Sequence, residues 1–127
     1  MEAELGHFFC ISALCLSVML TLSYGVTGFN SSYSIEFTRR MPSLIFVLTG
    51  ISFIFLLMAF VSSDFSVKLV ANNSHSLKPL IYKISGTWGN HEGSMLLWVL
   101  ILAFYLMLFQ IFSKELPREL INNTIFV

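Results

Sequence analysis

Charge is scarce in this sequence. Asp, Glu, Lys and Arg make up 11% of 127 residues, against about a quarter in ordinary soluble domains, too few to cover a water-soluble globule of this size. Seven basic residues balance seven acidic ones. No run of Lys or Arg marks a polycation, so nucleic-acid binding and a strongly basic membrane-surface arm are both set aside. Cysteine is nearly absent as well. Cys10 and Cys15 both fall in the first apolar stretch, where thiols behave as small hydrophobes rather than as a disulfide framework. No C-x-x-C-H is present, which excludes a covalent c-type haem carrier. There is no G-x-S-x-G, no S-x-x-K and no Cys–His arrangement outside the apolar stretches, so nothing marks a catalytic nucleophile. A basic leader is missing too: the chain starts with Glu2 and Glu4 and has no small-residue cleavage site, so the first segment is expected to stay as an anchor. No internal repeat or low-complexity tract interrupts the chain.

What the sequence does have is hydrocarbon. Hydrophobic residues account for 56% and the mean hydropathy is +0.80. Three apolar runs, residues 8–26, 42–62 and 95–112, contain no Asp, Glu, Lys, Arg or His. Each is close to the roughly 20 residues needed to cross about 30 Å of hydrocarbon as a helix. Continuous runs of that length suit helices, which satisfy their own backbone hydrogen bonds, rather than the alternating strands of a barrel. The expected fold is an all-α polytopic membrane protein, one module over residues 1–127 with three transmembrane helices and one long extra-cytoplasmic loop over residues 63–94. Pro42 is expected to open the second helix, where its missing N–H costs nothing, with residues 27–41 as a short polar connection. Gly50 with Ser43, Thr49 and Ser52, and Ser12 with Ser17 and Thr21, are placed for close helix approach or for bonds across an interface.

The distribution of basic residues sets an orientation by a one-charge margin. Arg39, Arg40, Lys114 and Arg118 lie on one side, and Lys68, Lys78 and Lys83 on the other. The positive-inside rule then puts the long loop outside, together with His7, His75 and His91. Asn30, Asn72 and Asn122 each begin an N-x-S/T sequon, read as chance in an Asn-rich chain.

Chemistry-bearing residues crowd in one place, Trp88-Gly89-Asn90-His91-Glu92-Gly93-Ser94, next to the third apolar run. Asn90 is suited to cap that helix, leaving Glu92 in its first turn at the positive end of the macrodipole. If helical geometry extends back to Trp88, then Trp88, His91, Met95 and Trp98 form one stripe against which a flat aromatic ligand can lie. Trp88, Gly89, His91, Glu92, Gly93, Ser94 and Trp98 are therefore the candidate contact residues for such a ligand or for a partner that carries it. The plainer alternative is an interfacial Trp pair and a helix cap. A zinc site fails on spacing, because the residue four after His91 is Met95 and H-E-x-x-H is incomplete. His75, in a Ser- and Asn-rich loop, and His7, at the water–lipid boundary, are expected to be solvated or interfacial. No catalytic residue and no metal ligand is assigned.

The blocks Glu4-Leu5-Gly6-His7-Phe8, Asp64-Phe65-Ser66-Val67, Val70-Ala71-Asn72-Asn73-Ser74, Leu77-Lys78-Pro79-Leu80-Ile81-Tyr82-Lys83 and Thr87-Trp88-Gly89-Asn90-His91-Glu92-Gly93-Ser94-Met95-Leu96-Leu97-Trp98 together resemble the N-terminal part of the CcmF-type haem lyases (CcmF/CycK/NrfE) of cytochrome c maturation. The resemblance implies a haem-handling machine that joins haem to apocytochrome c at the outer face of a bacterial inner membrane, or of the mitochondrial inner membrane. It implies as partners the other maturation subunits and a haem carrier protein. Family members are long, and their Trp-rich haem-handling segment and haem-ligating histidines lie beyond the matched region. The resemblance therefore implies a fragment, or one piece of a split protein, that is not catalytic alone and whose partner is the remainder of a CcmF-like chain. The apolar end of the tail, Thr124-Ile125-Phe126-Val127, reads as the start of another helix. A small transport subunit and a non-functional remnant are the alternatives. Against transport, none of the three runs carries an intramembrane charge.

Overall fold

The computed structural model describes residues 2–27 and 32–113, together with Pro117, Leu120 and Thr124. The sequons at Asn30 and Asn122, the basic residues Lys114 and Arg118, and Ile125, Phe126 and Val127 at the end of the tail lie outside the described residues. All regular structure among the described residues is helical. The order is α1 (Glu2–Thr27), α2 (Ser32–Ser62), α3 (Lys68–Asn73), α4 (Leu80–Gly86) and α5 (His91–Phe112).

Three of these helices are long and apolar enough to cross a membrane: α1 over Glu4–Ser23, α2 over Arg40–Ser62 and α5 over His91–Phe112. Helix α2 is central, packing against α1, α5 and α4. Leu20 of α1, Ile45 of α2 and Ala103 of α5 meet in one buried cluster with Leu16, Met41, Phe46 and Leu106 around it. Phe46 and Phe104 add a tilted ring contact at 5.6 Å between α2 and α5. Most large apolar side chains on α5 stay exposed, among them Val99, Ile101, Leu102 and Tyr105. In water such a surface would drive aggregation; in hydrocarbon it has no reason to be covered.

Polar contacts join the helices. Ser52 Oγ donates to the Gly6 carbonyl at 2.8 Å, α2 to α1, and Ser43 Oγ donates to Gln110 Oε1 at 3.1 Å, α2 to α5. The other hydroxyls expected at interfaces turn back on their own helices. Thr49 bonds the Ile45 carbonyl, and Ser12, Ser17 and Thr21 bond carbonyls three or four residues earlier. In hydrocarbon a hydroxyl without a partner on a neighbouring helix takes the nearest backbone carbonyl. Gly6 rather than Gly50 marks a close helix approach. A Cβ on Gly6 would stand 2.9 Å from Phe55 Cβ, whereas one on Gly50 would meet only Leu100 at 3.8 Å. Beside Gly6, Phe9 and Phe55 stack with centroids 6.0 Å apart.

Three boundaries differ from the sequence expectation. Pro42 does not open α2; it lies inside it, fully buried, and the helix runs back to Ser32, so residues 32–41 are helical instead of a polar connection. The proline removes one rung, the donor to the Thr38 carbonyl. Near a membrane, ending the helix there would instead leave a whole turn of carbonyls and amides to be satisfied, so continuation is the smaller loss. Secondly, α1 starts at Glu2, well before residue 8, because hydropathy marks where the hydrocarbon begins and not where backbone hydrogen bonding does. Thirdly, residues 63–94 hold α3, α4 and the first turn of α5.

Helix α2 ends in a Schellman-type turn. Ser63 takes a left-handed φ of 56°, Asp64 N–H donates to the Ala59 carbonyl and Ser63 N–H to the Phe60 carbonyl. Asp64 Oδ1 then accepts from the Ser66 amide at 3.1 Å and the Ser66 hydroxyl at 2.6 Å. These bonds hold the Asp64 carboxyl below its ordinary value. Beneath the turn, Phe60 and Ala59 of α2 bury Val70 of α3 in a second cluster with Leu56, Val67 and Leu69.

Candidate functional site

The segment singled out in the sequence is a joint between α4 and α5, and Asn90 is its pin. The Asn90 backbone is extended (φ −111°, ψ 165°) and its Oδ1 accepts from the Gly93 amide at 2.7 Å, capping α5. Its Nδ2 donates to the Gly86 carbonyl at 2.7 Å, satisfying an orphan acceptor at the end of α4. One buried side chain thus ties the end of one helix to the start of the next. Gly93 is required by space, since a Cβ there would overlap the Thr87 carbonyl oxygen. Thr87 is fully buried, and its hydroxyl has no hydrogen-bond partner among the described residues.

Around this pin the other candidate residues are displayed outward. His91, Glu92 and Ser94 are exposed in the first turn of α5, with Glu92 at the positive end of the helix dipole. Ser94 Oγ donates to the His91 carbonyl at 2.8 Å. Trp88 is 42% exposed and Trp98 57% exposed. Because α5 begins at His91, Trp88 stands in the turn before it and leaves the helical stripe. His91, Met95 and Trp98, spaced i, i+4 and i+7, remain on one exposed face.

The cluster opens onto two hollows rather than one. Trp88 and Gly89 line a hollow of about 440 Å³ with Asn73, Lys78, Tyr82 and Ser85. Glu92 lines a different one, about 290 Å³, between α1, α2 and α5, where it is joined by His7, Cys10, Ser52 and Phe55. His7 and Cys10 were not candidates on sequence grounds, since they lie some 85 residues from Glu92 and only the packing of α1 on α2 brings them near it. The signal available was the Glu4-Leu5-Gly6-His7-Phe8 block, whose glycine makes that approach possible.

The residues described do not form a resident haem site. Axial ligation requires a histidine held in a pocket that excludes water, and His7, His75 and His91 are all exposed. No three His, Cys, Asp or Glu side chains among the described residues come together to hold a metal ion. The residues displayed here are two indoles, an imidazole and a carboxylate, set about a hydrogen-bonded joint at the end of a helix long and apolar enough to cross a membrane.

No protein-family model matches this chain, and no solved structure matches it. Curated relatives do. It is 44% identical over 128 residues to the cytochrome c-type biogenesis protein CycK of Rhizobium meliloti, covering 100% of this chain and 19% of that protein. It is 45% identical over 122 residues to the cytochrome c-type biogenesis protein ccl1 of Rhodobacter capsulatus, covering 94% of this chain and 18% of that one. To CcmF of Escherichia coli it is 32% identical over 127 residues, 98% of this chain and 20% of that protein. The chain thus spans about a fifth of the length of the relatives it matches. Matched along its whole length to the N-terminal part of these longer proteins, the chain belongs to the family of cytochrome c-type biogenesis proteins that includes CcmF, CycK and NrfE.

Proposed function

We propose that this chain serves cytochrome c maturation as a membrane module of a haem lyase, assisting attachment of haem to apocytochrome c at the outer face of the bacterial inner membrane. The observation that carries this reading is the identity along the whole chain to proteins named for cytochrome c-type biogenesis. Three helices able to cross a membrane support the location. The module positions and contacts; no bond-making step is assigned to it.

Within that role, Trp88, His91, Glu92 and Trp98 are the contact surface for the haem-carrying partner, with Gly89, Gly93 and Ser94 shaping the joint that displays them. Haem is cargo on this surface. The exposed indoles supply rigid apolar area of the kind that dominates recognition surfaces, and the Asn90 pin holds their spacing. The partners are the remainder of a CcmF-like protein, the other maturation subunits and the haem carrier.

Two experiments test this reading. A tagged pull-down of the chain from its own membranes in mild detergent is expected to recover haem absorbance with a larger histidine-bearing membrane protein; a colourless eluate without partners overturns the role. In cells relying on this copy, Trp88→Ala with His91→Ala is expected to lower cytochrome c. Unchanged cytochrome c, with the variant present at normal level in the membrane, removes the contact surface from the proposal.

A further inference from the structure

A ridge beside the candidate site, sharing Lys78 and Tyr82 with the Trp88 hollow, carries large apolar side chains that the described residues leave uncovered. Leu77 is 96% exposed and Ile81 77% exposed, with Leu80 and Tyr82 beside them more than half exposed. Lys78 lies between Leu77 and Leu80 and Lys83 follows Tyr82, and from residue 65 to residue 91 the chain holds three lysines and no acidic residue. The ridge forms the start of α4 and the turn before it. The opposite end of α4 is pressed inward: Gly86 lies against the Phe60 ring, to which an added Cβ would come within 3.4 Å.

That contact fixes depth. Phe60 is in the last turn of the membrane span Arg40–Ser62, and the other end of the segment runs into the span that begins at His91. Helix α4 is therefore held at the level where α2 leaves the hydrocarbon, and both flanking spans return the segment to the same surface. Four apolar side chains with lysines beside them, placed at that height, match the composition of interfacial helices that lie on anionic lipid.

We propose that the Leu77–Tyr82 ridge lies in the headgroup boundary of the bilayer that α2 and α5 cross, apolar side chains among the acyl chains and Lys78 and Lys83 on anionic phospholipid phosphates. Lys78 Nζ, which donates to the Asn73 carbonyl at 3.0 Å, retains two further N–H groups for a phosphate oxygen. The ridge fixes α4 against the membrane and thereby fixes the outward joint at Asn90.

The test uses the full chain in bilayer nanodiscs with Cys10→Ala and Cys15→Ala, carrying one nitroxide at Ile81→Cys or, as an aqueous control, at His75→Cys. Spin relaxation by oxygen and by a water-soluble nickel chelate reports depth. In phosphatidylcholine containing phosphatidylglycerol, the label at 81 is expected to favour oxygen and the label at 75 the chelate. Adding Lys78→Glu and Lys83→Glu is expected to remove that preference, since each lysine near an anionic surface contributes about fivefold to the partition. A label at 81 that favours the chelate overturns the proposal. So does one that is immobilised and reached by neither reagent, which would place a protein partner on the ridge. An oxygen preference equally strong in pure phosphatidylcholine and in the charge-reversed variant overturns the anionic-lipid assignment.

Discussion

The joint between α4 and α5 is held by one amide, and its removal has a calculable effect. In Asn90→Ala the cap on the Gly93 amide is lost, at about 1 kcal/mol for a helix N-cap. The donor to the Gly86 carbonyl is lost as well, at about 1 kcal/mol for a hydrogen bond whose partner stays buried. Together these make about 2 kcal/mol, or a ~30-fold rise in local opening. Hydrogen–deuterium exchange of the chain in detergent or nanodiscs reads this directly, because the Gly93 amide is the hydrogen bonded to Asn90. Protection of the Gly93 amide is expected to drop by that factor, while amides in the middle of α2 and α5 are unchanged. Asn90→Asp separates the two contributions. It keeps the capping oxygen and gains from the helix dipole, but sets an acceptor against the Gly86 carbonyl, so the cap survives and the tie to α4 does not. Less than about a threefold change in Asn90→Ala, or full protection of the joint in Asn90→Asp, would refute the account of Asn90 as a two-sided pin.

Other consequences follow from the packing and the turns. Gly93→Ala is expected to be worse than Asn90→Ala, since its Cβ would overlap the Thr87 carbonyl oxygen; loss of exchange protection across residues 86–94 checks it. Gly6→Ala is expected to cost about 1–3 kcal/mol in thermal unfolding by pushing α1 from α2 at Phe55. A double-mutant cycle with Phe55→Gly, which removes the Cβ met at 2.9 Å, should be strongly non-additive. Ser63→Gly is expected to raise stability by about 0.5–1 kcal/mol, because it relieves a left-handed φ of 56° and deletes a buried hydroxyl that has no partner among the described residues. The Asp64 carboxyl is depressed in the folded chain by its bonds from the Ser66 hydroxyl and amide. Its contribution is therefore complete above the ordinary carboxylate value of 3.8 and is lost as pH falls through the lower folded value. Exchange of the Ser66 amide, measured against Asp64→Asn, should show acid-induced opening only with the native carboxylate.

By itself the sequence determined the class of environment. Hydropathy is a local quantity, and three uncharged runs of about 20 residues specify lipid-crossing helices without reference to their neighbours. It also determined the α5 cap, because an N-cap is a short-range interaction between Asn90 and the residue three later. The quoted blocks carried the family, which the identity along this whole chain to the N-terminal part of CycK and CcmF proteins bears out. Tertiary structure decided what depends on contact between distant residues. Hydroxyls at Ser12, Ser43, Ser52 and Thr49 read alike in one dimension, yet only Ser43 and Ser52 face a partner on another helix. Pro42 read as a boundary because propensity rules weigh the lost rung, not the turn of unsatisfied groups that stopping there would expose. The convergence of His7 with Glu92 arises from α1 docking on α2 through the gap left by Gly6, and the separate hollow at Trp88 from α4 lying beside Asn73. Such packing pairs residues some 85 positions apart, which no window along the chain contains.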